Sequence, residues 1–177
     1  MYYLSKLEEE VQNIYKKINI LEPSQVDMEV IADRLDIQIR YMPNKCGIFK
    51  FGLSKVIILD SLKNKQQHWQ DFCHELGHIM KHAGAQFKTP LLLKEMQENQ
   101  ANSFMYHFSV PTFMLNKIQL PPLKRDAVQL LTDLFNVTHP FAEKRLDIYL
   151  RKLLSLRTQS SFMKTTTAAS LVQMQNV

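Results

Sequence analysis

The stretch DFCHELGHIMKH, residues 71–82, limits what this chain can fold into, because it sets two histidines four residues apart around a glutamate. On a helix that spacing separates His74 and His78 by one turn and about 40°, so both imidazoles leave the same side. The neighbours carry a helical period: Trp69, Phe72, Cys73, Leu76, Met80 and Ala83 share one apolar face, which goes to the core. The two histidines lie almost opposite that face, with Asp71 and His82 on the same polar side. A helix over about 65 to 83 is expected, with its histidines turned toward a cleft.

Zinc needs nitrogen ligands that converge at about 2 Å, and this spacing supplies two. Glu75 is rotated by about 100° from His74, too far round to be a ligand with ease, and it stands where a general base belongs. A zincin pattern that places a third histidine ten residues after the first fails here, since Gly84 holds that position. His82 lies about 12 Å along the axis from His74, too far to share an ion, and it lines or supports the cleft. The remaining source is a carboxylate on the following helix, expected over about 91 to 109. Ala101, Phe104, Met105 and Phe108 mark its buried face. Glu98 lies beside that face and is the expected third ligand, while Glu95 points further out. Asn102, one turn on from Glu98, is placed to hydrogen-bond a ligand histidine.

Elsewhere the local patterns are mostly helical. Helices are expected over about 4–18 and 25–35, with a short one over 112–117 and a closing pair over 124–135 and 139–156 turning at Asn136-Val137-Thr138. IQIRYM (37–42) alternates as a strand, and Gly47–Phe51 with Val56–Leu59 reads as a hairpin. Only four glycines occur in 177 residues, too few for a turn-rich all-β protein. The fold class is therefore α+β, mostly helical, with a small three-stranded sheet and a C-terminal helical pair. One domain spans 1–157; from 158 to 177 the apolar period fades and a flexible tail is expected. No apolar run is long enough for a membrane span, and the acidic start lacks a secretory pattern. Cys46 and Cys73 form no disulfide framework, so a cytoplasmic protein is expected. The formal net charge is +5, with many of the cations late in the chain, from Lys117 to Lys164. That excess, with the helix-turn-helix look of the closing pair, makes nucleic acid a conceivable partner, although packed helices with solvated basic faces explain both features.

HELGH, then Glu98-x-x-Ala101-Asn102-x-Phe104, then Val110-Pro111, resembles the ImmA/IrrE-type metallopeptidases. The similarity covers roughly residues 5 to 155. Gln100 stands where that family usually has a second glutamate, Met105 where it has alanine, and His107 to Val110 replaces a leucine-rich approach to the proline. The resemblance implies a gluzincin-like fold with a sheet edge beside the metal. It also implies a protein substrate: a helix-turn-helix repressor of a phage or mobile element, whose cleavage releases the element's genes. The expected activity is thus that of a zinc endopeptidase with one Zn²⁺ per chain, held by His74, His78 and Glu98, with Glu75 as base. The developing charge on the substrate carbonyl needs a further donor, for which Tyr106, His107 and His82 are candidates. Two rivals remain: a non-catalytic anti-repressor that only binds a regulator, and a DNA-binding regulator that uses the closing basic helices.

Overall fold

The computed structural model describes residues 2–51, 54–81 and 90–174. Helix α1 (Lys6–Lys17) begins at a reciprocal cap: the Ser5 N–H donates to Glu8 Oε2 at 2.7 Å, and the Ser5 hydroxyl receives the Glu8 N–H. Acids in its first turn and lysines in its last complement the helix dipole. A turn of 3₁₀ helix at Pro23–Gln25 precedes α2 (Met28–Arg34), capped by Asp27 accepting from the Val30 N–H at 3.0 Å. The sheet follows, with β1 (Ile37–Met42), β2 (Gly47–Phe51) and β3 (Ser54–Asp60). Then come α3 (Lys65–Lys81), α4 (Leu91–Ser109), α5 (Thr112–Leu115), α6 (Lys124–Phe135) and α7 (His139–Met174). Asn136 takes a left-handed conformation, φ 50°, that ends α6. Among the described residues no helix is long and apolar enough to cross a membrane.

The strand order is β1-β3-β2, with β3 parallel to β1 and antiparallel to β2. In the central strand Ile57 and Leu59 are fully buried. β2 is left as an edge beside α3. The helical core gathers Val11 and Tyr15 of α1, Trp69, Phe72 and Leu76 of α3, Phe104 and Phe108 of α4, Leu131 of α6 and Leu146 of α7. Tyr15 donates its buried hydroxyl to the Phe108 carbonyl at 2.9 Å, fixing α1 to α4. Met80, assigned to the apolar face of α3 by period, is 38% exposed near the end of that helix, and Val30 of α2 is 40% exposed. Each sits at the margin of its helix's buried stripe, where packing partners run out.

A buried ionic node joins the two ends of the fold. Glu8 is 3% exposed and Arg145, from the basic run of the closing pair, is 0% exposed. Thr112 bridges them: its hydroxyl donates to Glu8 at 2.8 Å and receives from Arg145 Nη2 at 2.8 Å. Arg145 Nε also donates to the Val110 carbonyl at 3.0 Å. Tyr2 donates to Glu8 at 2.6 Å, and Lys152 of α7 pairs with the same carboxylate.

The last helix differs from its expected length. The closing helix, expected to stop near 156 with a flexible tail from 158, continues as helix to Met174. After Pro140 the sequence contains neither glycine nor proline, so no residue type there interrupts the backbone hydrogen-bond ladder. Among the described side chains, Leu153 is the last on α7 packed against the core, and Leu154 is already exposed. Removing residues 160–177 is therefore expected to shift the melting temperature by no more than about 4 °C, the equivalent of roughly 1 kcal/mol at this size. A larger drop in a thermal melt would show that the distal helix packs.

Candidate metal centre

Helix α3 begins with a reciprocal cap in which the Gln67 N–H donates to Asn64 Oδ1 at 2.9 Å and the Asn64 N–H to Gln67 Oε1 at 3.1 Å. Trp69, Phe72, Cys73 and Leu76 bury the inner face of α3. On its outer side Gln70 donates to the Thr138 hydroxyl at 3.1 Å, tying the helix to the turn before α7. Thr138 stands at the start of α7, its carbonyl receiving the Ala142 N–H at 2.9 Å, and its hydroxyl also lies 3.4 Å from Gln70 Oε1. Beyond these anchors, α3 presents His74 and His78 to α4.

The histidine Nε2 atoms lie 3.1 Å apart. From α4, Glu98 brings Oε2 to 3.3 Å from His74 Nε2 and Oε1 to 3.5 Å from His78 Nε2. One ligand atom from each of the three residues lies within 4.8 Å of the others. The donor set can be tested against an ion directly. Ligands at about 2.0–2.1 Å from a tetrahedral zinc stand about 3.3 Å from one another, close to the 3.1 Å between the two nitrogens and to the 3.3 and 3.5 Å from each nitrogen to one of the two Glu98 oxygens. His74 Nδ1 lies 3.1 Å from Asn102 Oδ1; an amide oxygen accepts only, so Nδ1 carries the proton and Nε2 keeps its lone pair for a metal. The residues present therefore fit an open site with two nitrogens and a carboxylate. The expected ligands His74, His78 and Glu98, and the expected support from Asn102, are brought together.

Glu75 stands off the line of the two histidines, as its position in the turn requires. Burial pushes its carboxyl above the usual carboxylate range, and Glu98 and Asp71 add to that, while His74 and a hydrogen bond from Cys46 pull it back. A carboxyl raised in this way holds a proton more readily than a free one, the character a proton acceptor needs. The Cys46 thiol, just before β2, donates to Glu75 Oε1 at 3.5 Å. Partial burial, reinforced by Glu75 and Asp71, pushes that thiol up to about 12, so it stays protonated. Asp71 is occupied by Lys63 at 2.6 Å. Sequence reasoning missed Cys46 and Lys63 because nothing local ties the strand and the loop before α3 to the histidine helix.

Two other expected cleft residues lie elsewhere. Tyr106 stacks on Phe141 with ring centroids 4.5 Å apart, beneath the Lys144 ammonium at 5.0 Å. His107 turns toward the buried node, with Nδ1 3.9 Å from Glu8 Oε1, and burial together with Arg145 lowers it to about 4. The reason is helical geometry: both sit at least about 12 Å along α4 from Glu98, and His107 is about 180° around the axis from it. His82 lies outside the described residues.

Residues 15–147 match the peptidase family M78, the IrrE N-terminal-like domain. The chain is 42% identical over 157 residues to the phage-like element PBSX protein XkdA of Bacillus subtilis (strain 168), covering 89% of this chain and 79% of that one. It is 41% identical over 166 residues to the protein YqaB of the same strain, covering 94% of each. Among solved structures, a Mycobacterium tuberculosis transcriptional regulator superposes with a TM-score of 0.55 at 15% identity. That match covers 79% of this chain but only 46% of the regulator, and at such identity it speaks to the fold alone. With the family matched across most of the chain and His74, His78 and Glu98 converging in space, the chain belongs to the M78 family of metallopeptidase-type, IrrE N-terminal-like domains.

Proposed function

We propose that this protein is a zinc-dependent endopeptidase. The observation that carries the reading is the convergence of His74, His78 and Glu98 within 4.8 Å, with Glu75 held beside them on the same helix. A zinc ion held by those three residues supplies Lewis-acid polarisation and a water of lowered pKa. The protein's own part follows from its side chains. Asn102 holds the His74 ring in one tautomer. Glu75, its basicity raised by its surroundings, takes a proton from the attacking water and returns it to the leaving amine. The β2 edge beside α3 gives an extended peptide a backbone to pair with.

The proposed substrate is a helix-turn-helix repressor of a phage or mobile element, cut so that the element's genes are released. The likeness to a protein of the phage-like element PBSX supports that setting. The DNA-binding alternative gains little from the closing helices, since Arg145 is buried in the ionic node and Lys124 is paired with Glu143 at 2.9 Å and Asp147 at 3.0 Å. Co-expression with a repressor encoded on the same element, followed by intact-mass analysis, tests the proposal. Cleavage should occur with the unaltered chain and disappear in Glu75→Gln. An uncut repressor in both cases would leave the non-catalytic anti-repressor reading in its place.

A further inference from the structure

We infer that Gly77 is a positioning residue of the metal centre: its missing side chain lets α3 and α4 approach closely enough for Glu98 and Asn102 to reach the two histidines. The inference rests on the metal-binding part of the proposed function. A Cβ placed on Gly77 would lie 3.1 Å from the Ala101 Cα, 3.1 Å from the Ala101 carbonyl oxygen and 3.2 Å from Phe104 Cδ1. The first two atoms are backbone and cannot rotate away. Phe104 is 1% exposed and Ala101 0%, so neither has room to retreat.

The contact lies at the centre itself. Gly77 is three residues after His74 and directly before His78, and Ala101 is three residues after Glu98. Glycine in a helix interior weakens the helix relative to alanine, so on local grounds alone alanine would be the better residue at 77. A Cβ there would push α4 outward by a few tenths of an ångström. Metal–ligand distances tolerate about 0.2 Å. Glu98 and Asn102 flank Ala101 on α4 and both reach across to α3, one to each histidine Nε2 and one to His74 Nδ1. The outward step stretches all of these contacts together, and a torsion change in Glu98 cannot restore the Asn102 bond.

The test uses the full chain with zinc alone as the probe. Gly77→Ala and Gly77→Val are stripped with chelator, checked for helical content by circular dichroism, and titrated with zinc against a competing chelator. Gly77→Ala should remain folded while its zinc Kd rises at least about tenfold, within the roughly 10–100-fold range seen when groups that orient metal ligands are disturbed. Gly77→Val should rise further; if it fails to fold, Gly77→Ser takes its place in the series. A zinc Kd within twofold of the unaltered chain for the folded variants would overturn the inference. An unaltered chain that takes up no zinc would overturn the proposed metal reading and this inference with it, a result distinct from tight binding that glycine replacement does not change.

Discussion

Replacing Glu75 by glutamine is expected to leave about one zinc per chain in place while cleavage falls by roughly 10²–10⁴-fold, the range for loss of an acid-base group. Glutamine keeps the shape and still accepts the Cys46 thiol hydrogen through its amide oxygen, but it cannot take up a proton. Glu98→Gln should fail in a different way. Its oxygens stand 3.3 and 3.5 Å from the two histidine nitrogens, and exchanging that anion for a neutral amide weakens metal binding. Zinc affinity should drop markedly, and added zinc should restore part of the cleavage. Zinc titration and cleavage of a repressor substrate, run side by side on both variants, read the distinction. Metal lost from Glu75→Gln but kept with full activity in Glu98→Gln would reverse the assignment and make Glu95 the next ligand to test.

The largest effect on stability is expected at Glu8. Its replacement by glutamine removes the carboxylate charge that Arg145, fully buried, reaches through Thr112. Removing one member of a buried charge pair costs about 3–5 kcal/mol. For a chain of this size that corresponds to a fall in melting temperature of roughly 6–20 °C. The same carboxylate makes stability depend on pH. Burial works against its charge, but Lys152, the Ser5 N–H, Tyr2 and Thr112 outweigh it and hold Glu8 at about 2, below the ordinary carboxyl value of 4.5. A group lowered on folding contributes fully above about pH 4.5, and its contribution is lost as pH falls toward 2. Urea midpoints at pH 7 and pH 3 should therefore differ more for the unaltered chain than for Glu8→Gln. Equal midpoints for the two proteins at pH 7 would show that Arg145 does not depend on Glu8.

Features set by residues a few positions apart were legible in the sequence. The phase of α3 follows from Trp69, Phe72, Cys73 and Leu76, and it turns His74 and His78 toward α4 as expected. Glu98 was separable from Glu95 because the buried face of α4 is marked by Ala101, Phe104 and Phe108. The strand order β1-β3-β2 was not legible, since a hairpin pattern says nothing about which strand a third one joins. Glu8 reads locally as one of three consecutive acids near the start of α1, and Arg145 as part of a basic run. Only the folded chain reveals that Thr112 links them across 137 positions. His107 reads as a cleft residue for the same reason: its sequence distance from Glu98 is short, but the helix turns it to the opposite side.

The central claim is that His74, His78 and Glu98 together hold one divalent ion. Metal stoichiometry tests it most directly: the chain is stripped with chelator, reloaded with zinc, separated from free metal and measured by elemental analysis, beside a His74→Ala, His78→Ala variant shown by circular dichroism to be folded. The result expected is close to one zinc per chain for the unaltered protein and essentially none for the variant. Full zinc content retained by the folded variant would contradict the claim, because the ion would then be held by other residues.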